Sequence, residues 1–361
     1  MRSTLRDGRM PLPAPETADG TLDTSIEELA KNFERAAQTA GVVECSIRVG
    51  DALVGLRFAG NALAEQLSRA FHHLIEHDAG EPDLTISVWD AQDSGTQPPP
   101  LPSLAPGSPR GTTVYTAEEG RHLACRPALG QLSAYERDSG RAWFWCDNAH
   151  ELPFWEPAAP FRQIFHWWLP DRGALLLHAA AVGEPSGGAL LVGAGGSGKS
   201  TSALSCLTSD LLYAGDDYVA IEFAPEPRVL SLYCSGKLEP DHATLLPHLP
   251  APSFAGDGAL EEKSVFYVAD AFPERMSRGF PLRAIIAPRV EGDQPRVSTR
   301  SAVQVLAALA PSTLLQLVPA RQEALSAMAG LLKRIPAFGL EIGGPTNLIP
   351  PMIESLLREL P

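Results

Sequence analysis

One segment of this chain constrains its fold more than any other, because it joins an apolar stretch, a glycine-rich turn and a helical pattern. Residues 189–192 are apolar, residues 193–198 are mostly glycine, and a Lys-Ser-Thr triplet opens the helical pattern. Glycines let successive backbone N–H groups face inward, and a helix N-terminus attracts phosphate. The pattern predicts a phosphate-binding loop formed by Gly193, Ala194, Gly195, Gly196, Ser197, Gly198, Lys199, Ser200 and Thr201.

The side chains at the end of this loop have the chemistry that a bound nucleotide needs. Lys199 can reach the β- and γ-phosphates, and the hydroxyl of Ser200 can ligate Mg²⁺, with Thr201 as a second candidate. The alternative is a surface turn that fits the pattern by chance, but the apolar stretch before it and the helical pattern after it favour the loop. We therefore expect ATP and Mg²⁺ as ligands.

A pair of carboxylates follows the next apolar stretch. Residues 211–215 indicate a short strand that ends at Asp216 and Asp217. Strand ends face the nucleotide in such sheets, where one Asp commonly supports Mg²⁺. The other Asp could accept a proton from an attacking hydroxyl group. The alternative is that one Asp supports the metal ion and the other only caps a turn.

A lone histidine interrupts the apolar residues upstream of the loop. Residues 173–182 predict a strand, and His178 is its single polar residue. A histidine in an apolar stretch is more often a core residue that has found a hydrogen-bond partner than a functional group. Its position next to the predicted loop favours a place beside the site.

These motifs resemble those of the HPr kinase/phosphorylase-like serine kinases, which have a strand with His, a phosphate-binding loop and a strand that ends in Asp-Asp. Residues 280–288 also look like a later strand of that family, in which Arg283 precedes an Ile-rich stretch. The resemblance covers residues 173–290. It implies an α/β P-loop kinase domain of the HPr kinase type.

The same resemblance implies roles for individual residues. Lys199 would bind phosphate, Ser200 and one Asp, taken as Asp216, would position Mg²⁺, and Asp217 or Asp216 would be the base. His178 would orient or assist the nucleophile, and Arg283 would stabilise charge on the transferred phosphoryl group.

The chain also departs from the family. Residues 229–239 replace the Arg-Gly-Leu-Gly-type segment of the enzymes that phosphorylate HPr, so Glu239 is only a guess for a second metal ligand. The departure favours the divergent members, which modify a serine on a peptide or a small molecule. Lys237 and Lys263 are further cations that could reach phosphates, although each is more often a solvated surface lysine.

Composition limits the partners and the location. A net charge of −14 argues against a nucleic-acid or anionic-membrane partner, because both require a cationic surface. The five cysteines are odd in number and contain no Cys-x-x-Cys pair, so we expect reduced thiols and no zinc site. No signal peptide and no membrane span is predicted, which makes the cytoplasm the expected location.

The chain divides into four predicted parts: residues 1–24 as a disordered segment, 25–150 as a smaller β-rich α+β front domain, 151–172 as an aromatic connecting helix, and 173–361 as the kinase domain. A helix is predicted at 25–39 and another at 62–76. The predicted front strands are residues 44–49, 52–58, 84–88, 112–116, 122–126, 132–136 and 142–146. Later elements are helices at 302–310, 320–334 and 348–360 and a strand at 337–342.

Two classes of function remain open. The first is an ATP-dependent kinase whose acceptor is a hydroxyl on a peptide, a protein or a small molecule. The second is a nucleotide-binding regulator, or a slow ATPase switch, that uses the front domain to hold partners. His178 and the Asp pair favour the kinase, because a pure switch does not need an additional base. A homo-oligomer is compatible with the sequence, which carries no motif that decides it.

Overall fold

The computed structural model describes residues 17–18, 25–77, 80–109, 111–254, 263–314, 316–320 and 322–360. The prediction for residues 1–24 therefore lies outside the described residues, apart from a two-residue strand. The protein is a mixed α/β molecule with two large sheets.

The first sheet is built from the short strands in the front part of the chain. All seven predicted front strands are present, each within two residues of its predicted bounds. The strands are β1 (Thr17–Ala18), β2 (Val42–Val49), β3 (Ala52–Ala59), β4 (Ile75–Glu76), β5 (Leu84–Asp90), β6 (Thr113–Glu118), β7 (Arg121–Arg126), β8 (Gln131–Glu136) and β9 (Arg141–Cys146), in the spatial order β1-β6-β7-β8-β9-β5-β3-β2-β4. The helices of this part are α1 (Ile26–Ala40), α2 (Asn61–Ser68) and α3 (Ala91–Ser94).

Two short helices, α4 (Trp155–Ala158) and α5 (Arg162–Trp168), then lead to the second sheet. Its strands are β10 (Ala174–Leu177), β11 (Ala179–Glu184), β12 (Gly187–Val192), β13 (Leu212–Gly215), β14 (Val219–Glu222), β15 (Arg228–Leu230), β18 (Gly279–Arg289), β19 (Arg296–Thr299) and β20 (Ala337–Glu341), while β16 (Ser235–Leu238) and β17 (Ser264–Tyr267) form a separate hairpin. The helices are α6 (Lys199–Ser205), α7 (Pro240–Ala243), α8 (Val268–Ala271), α9 (Ala302–Leu314), α10 (Gln322–Arg334) and α11 (Ile349–Glu359).

The order of the second sheet, β10-β14-β15-β18-β12-β11-β13, places the strand before the glycine-rich loop in its interior. β12 is antiparallel to β11 and parallel to β18. Every residue of β12 is buried, which agrees with its continuous apolar sequence. The loop therefore leaves the sheet from a fixed, fully packed strand.

Besides the predicted connecting helix at 151–172, which is the two short helices α4 and α5, two predicted elements differ from the structure. The predicted helix at 62–76 ends at Ser68 and continues as a 3₁₀ turn, because Cys234 N–H donates to the carbonyl of Ala70 at 2.8 Å and takes the place of a helical bond. The predicted strand at 173–182 is two strands. β10 pairs with β14, whereas β11 pairs with β12 and β13, and His178 lies at the break between them.

The two sheets share an aromatic core around α5. Phe71 from the front part stacks on Phe161 at 6.1 Å between ring centroids and lies 5.5 Å from Tyr233 of the second part. Trp167 is fully buried, and its indole N–H donates to the carbonyl of Val318 at 2.7 Å. The aromatic residues of α5 therefore pack against both parts of the chain.

Two further findings bear on the predictions from composition. Cys45, Cys125, Cys146, Cys206 and Cys234 all lie in the described ranges and are free thiols. Among the helices described above, none has the length and apolar character that crossing a lipid bilayer requires.

Candidate functional site

The glycine-rich loop follows β12 directly and ends at the first residue of α6, as its sequence predicts. Gly193, Gly196 and Gly198 have positive φ angles of 155°, 76° and 96°. A side chain at Gly198 would collide with Ile342, because a Cβ there would lie 2.0 Å from its Cδ1 atom. Glycine is favoured at this position by the positive φ, whereas the terminal methyl group of Ile342 would have to shift to admit a Cβ. Ala194, Gly195 and Gly196 form the exposed tip of the loop.

Lys199 is folded back over the loop that precedes it. Its ammonium group donates to the carbonyl oxygens of Gly193 at 2.8 Å and Ala194 at 3.2 Å, and the residue is only 6% exposed. Burial lowers the pKa of Lys199 to about 8, although the carboxylates of Asp216 and Asp217 oppose this. A cation is thus held at the point where the loop turns into the helix.

Ser200 and Asp216 are joined directly. The Ser200 hydroxyl donates to Oδ1 of Asp216 at 3.0 Å, and the backbone N–H of Lys237 donates to Oδ2 at 3.1 Å. Asp216 is 1% exposed, so both oxygens of a buried carboxylate accept hydrogen bonds. Thr201, the second candidate from the sequence, is also buried, but no hydrogen bond links its side chain to Asp216 in the described structure.

Asp217 lies between two basic side chains. Its Oδ1 accepts a hydrogen bond from Nε2 of His178 at 3.0 Å, and its Oδ2 forms an ion pair with the ammonium group of Lys237. Because an ionised carboxylate can only accept, Nε2 of His178 carries the proton and Nδ1 is the unprotonated nitrogen. That Nδ1 atom is buried and has no hydrogen-bond partner among the described residues.

Backbone geometry separates the two carboxylates. Asp217 has a φ of 68°, which is uncommon for a residue other than glycine, and Tyr218 N–H donates to the carbonyl of Asp216 at 2.8 Å across it. This tight turn lets adjacent residues face different partners: Asp216 faces Ser200, and Asp217 faces His178 and Lys237. Strained turns of this kind cluster at functional sites.

The charges in this cluster fix the protonation states. Burial raises the pKa of Asp217, but the Lys237 charge and the hydrogen bond from His178 outweigh it and hold the pKa well below its ordinary value. Burial and the nearby Lys199 charge lower the pKa of His178. At neutral pH the cluster therefore contains an ionised Asp217 and a neutral His178.

The structure does not bring Arg283 to this cluster, which corrects the prediction that it contacts the transferred phosphoryl group. β12 and β18 are parallel with Gly188 opposite Leu282, so Arg283 lies beside the start of β12, whereas the loop follows its end. The separation along β12 is roughly 15 Å. The Arg283 side chain instead packs over Gly187 and donates to the carbonyl of Leu360 at 3.3 Å.

Of the remaining candidates, Lys237 lies at the Asp217 cluster, whereas Glu239 forms an ion pair with Lys263. Lys237, which the sequence offered as one of two further cations for the phosphates with a surface lysine as the alternative, is 8% exposed and contacts Asp217. A signal was present, because Lys237 lies within an otherwise apolar and small-residue segment, 232–238, whose last four residues form β16. Glu239, the guess for a second metal ligand, lies 3.6 Å from the ammonium group of Lys263 and is half-exposed.

The donor set fits Mg²⁺ bound together with phosphate. Mg²⁺ prefers oxygen ligands and is usually held by one or two carboxylates, with the rest of its shell from water and phosphate. Ser200 and Asp216 provide such oxygens beside the loop, and within the described residues no cluster of three or more acidic, His or Cys side chains forms a complete metal cage. The buried hydroxyl of Ser197 has no partner there, which leaves a donor at the loop.

The fold and the site together define a mixed α/β protein with a glycine-rich loop between a strand and a helix and an acidic pair beside it. No protein-family model matches the chain, and no curated protein matches it. Among solved structures it is similar to the HPr(Ser) kinase/phosphatase from Coxiella burnetii, with 14% sequence identity and a TM-score of 0.27, over 51% of this chain and 88% of that chain. The relationship is distant, and at this score it identifies neither a family nor an activity.

Proposed function

We propose that this chain is an ATP-dependent, Mg²⁺-assisted P-loop phosphotransferase of the HPr serine kinase-like type, which transfers a phosphoryl group to a hydroxyl acceptor. The observation that carries the proposal is the 3.0 Å hydrogen bond from Ser200 to Asp216 at the end of the glycine-rich loop. This pair supports the proposal, because P-loop enzymes use a loop hydroxyl and a nearby carboxylate to hold the nucleotide-bound metal ion. The proposed acceptor is a serine on a peptide or protein, with a small-molecule alcohol as the alternative.

Each loop residue then has a distinct task. The backbone N–H groups of residues 194–200 bind phosphate oxygens, and Lys199 adds a positive charge. Ser200 and Asp216 would hold Mg²⁺, which supplies charge neutralisation at the phosphates. The hydrogen bonds of Lys199 to Gly193 and Ala194 keep this cation close to the loop, and no carboxylate of the described residues is in direct contact with it.

Asp217 is the proposed acceptor for the hydroxyl proton. The low pKa that Lys237 and His178 give this carboxylate makes it a weak base but keeps it ionised. A weak base is sufficient, because phosphoryl transfer passes through a loose transition state in which the attacking hydroxyl gives up its proton late. His178 and Lys237 orient the carboxylate, and the free Nδ1 of His178 provides a second place for a proton.

One observation favours a different function, a nucleotide-binding regulator or slow ATPase switch. Both oxygens of Asp217 already have basic partners, so a carboxylate in this state could serve only to join β10, β13 and β16 around the loop. In that case nucleotide binding would shift the cluster of His178, Asp217 and Lys237, and no phosphoryl group would be transferred to an alcohol.

The test is transfer from γ-labelled ATP, with Mg²⁺, to peptides and proteins encoded beside this gene and to a panel of small alcohols. A labelled acceptor that requires Asp217 supports the kinase. Tight Mg²⁺–ATP binding with no labelled product, or with release of inorganic phosphate alone, contradicts it and favours the switch. The wild-type chain and an Asp217→Asn variant are measured side by side, so that contaminating kinases are identified by label that persists in the variant.

We also propose a location and an oligomeric state. The five free thiols are compatible with a reducing compartment, so we propose the cytoplasm. A homo-oligomer remains a proposal that size-exclusion chromatography with light scattering would test.

A further inference from the structure

The glycine-rich loop has two flanks, and the acidic pair lies on only one of them. β11 and β13 lie on one side of β12, and Asp216 and Asp217 follow β13. β18 lies on the other side of β12, and β20 pairs with β18. Both of these strands run parallel to β12, so they end at the edge of the sheet where the loop begins. The ends of β18 and β20 therefore form the second flank of the loop.

Val290, the first residue after β18, lies beside the last glycine of the loop. A Cβ on Gly198 would lie 3.6 Å from Cγ2 of Val290 and against the terminal methyl group of Ile342, which follows β20. Val290 is 65% exposed, whereas Ile342 is buried. A single exposed valine is common on protein surfaces, but this one lies next to the residue that precedes Lys199. An apolar side chain is thus open to solvent directly beside the proposed phosphate site.

The segment that carries Val290 is packed backbone to backbone against the segment that follows β20. Ile342 N–H donates to the carbonyl of Arg289 at 2.9 Å. A Cβ on Gly343 would collide with the carbonyl oxygen of Gly292, so the close approach of the two segments depends on glycine. These backbone contacts fix the position of Val290 before any ligand arrives.

The position of the proposed metal ion sets the direction in which a nucleotide would lie across the loop. Mg²⁺ bridges the β- and γ-phosphates, and its proposed ligands, Ser200 and Asp216, put these phosphates on the acidic flank. The base is at the opposite end of the nucleotide from the γ-phosphate, so it would leave the loop on the flank of Val290. The ring of a base has two largely apolar faces, which are stabilised when an apolar side chain removes them from water.

We propose that Val290, supported by Ile342 and the backbone of residues 342–344, binds the purine base of the nucleotide donor. The inference rests on the proposed function, because it takes a nucleotide as the phosphoryl donor, and it names the part of the site that recognises the base. The contact joins an apolar side chain to the face of a ring, so its strength follows the area that is covered. A purine, which has two fused rings, covers more of this surface than a pyrimidine.

The first experiment separates the base from the phosphates. Calorimetry in the presence of Mg²⁺ measures the Kd of ATP and of inorganic tripolyphosphate for the wild type, Val290→Asn and Val290→Phe. We expect Val290→Asn to raise the Kd of ATP roughly three- to tenfold and Val290→Phe to lower it, because the first loses the apolar contact and the second enlarges it. Both variants should leave the Kd of tripolyphosphate unchanged, since this ligand has no base. Lys199→Ala should weaken the binding of both ligands.

Val303 provides the matched control. It is also an exposed valine, at 76%, but it lies at the start of α9. β19, which leads into α9, is antiparallel to β20 and so runs away from the edge of the sheet where the loop lies. Val303→Asn and Val303→Phe should therefore leave both dissociation constants at the wild-type values. Equal changes for ATP and tripolyphosphate in the Val290 variants, or ATP binding that neither Val290 variant alters, would overturn the proposal.

A second experiment locates the base without any substitution. An ATP analogue with a photoreactive azido group on its base is irradiated with the wild-type chain, which is then cut with trypsin. Cleavage after Arg289 and Arg334 yields the peptides 290–296 and 335–358, which contain the two segments of the proposed base site. We expect the label in one or both of these peptides, and we expect excess ATP to prevent it. Label confined to other peptides would overturn the proposal.

Three further outcomes distinguish the base site from the proposed function. CTP that binds the wild type as tightly as ATP would overturn the assignment to a purine. ATP binding that depends on Val290, with no labelled product from any acceptor, would support the base site and contradict the kinase. A wild type that binds neither ATP nor tripolyphosphate would overturn both, because the loop would then bind no phosphate.

Discussion

Nε2 of His178 donates a hydrogen bond to Oδ1 of Asp217 at 3.0 Å, although the two residues are separated by 39 positions in the chain. His178 lies at the break between β10 and β11, and Asp217 lies in the tight turn after β13. The chain changes its pairing partner at His178, because β10 pairs with β14 whereas β11 pairs with β13. The interruption of the strand is therefore what brings a base and a carboxylate together.

Replacing Asp217 with Asn should separate transfer from binding. The variant keeps the shape of the side chain but loses its charge, so we expect nucleotide binding to stay near the wild-type value while transfer falls by about 10²–10⁴. Binding is measured by calorimetry and transfer by label. The control is Asp241→Asn, an exposed aspartate on α7. Transfer retained in Asp217→Asn would remove this residue from the reaction.

Replacing Lys199 with Ala should weaken nucleotide binding and transfer together. The substitution removes a buried cation at the start of α6, and hydrogen bonds to charged groups contribute enough that the Kd for Mg²⁺–ATP should rise roughly tenfold or more. Calorimetric titration measures the change, with the exposed Lys31→Ala as the control. Normal ATP affinity in Lys199→Ala would mean that the loop does not bind phosphate.

Replacing Lys237 with Met should change the pH dependence of activity. Burial already raises the pKa of Asp217, and without the Lys237 charge this effect is no longer outweighed. Because the ionised form is the active one, activity falls as the pH drops through this pKa, so the acidic limb of the kcat profile should move to higher pH. Lys263→Met, which removes a half-exposed lysine, serves as the comparison. Identical acidic limbs in the two variants would contradict the proposed ion pair.

Two glycines of the same loop provide a matched pair for stability. Gly198→Ala places a side chain at a φ of 96° and against Ile342, so we expect a loss of about 1–3 kcal/mol and weaker ATP binding. A Cβ at Gly195 would meet no atom within 4 Å, so Gly195→Ala should leave the free energy of unfolding nearly unchanged. Chemical denaturation measures both, and equal losses would contradict the packing described here.

The sequence predicts those parts of the fold that local patterns determine. Strands such as β2 and β5 follow from the alternation of polar and apolar residues in their sequences, and the loop follows from its glycines and the triplet that begins with Lys199. The sequence does not determine whether two strands pair in parallel or antiparallel, or in which register. The register of β18 against β12 puts Arg283 beside the start of β12, far from the predicted phosphate site at its end. The sequence did not predict the ion pair between Lys237 and Asp217, because the two residues are distant in the chain and no local pattern encodes such a contact.

The aromatic packing of Phe71, Phe161 and Tyr233 has a consequence for how this protein can be dissected. A fragment that begins after α5 would expose Tyr233 and the neighbouring apolar side chains to water, because their partners belong to the front part of the chain. Such a fragment is expected to aggregate, and the intact protein should melt in one calorimetric transition. The second sheet is thus expected to require the front sheet as a folding partner.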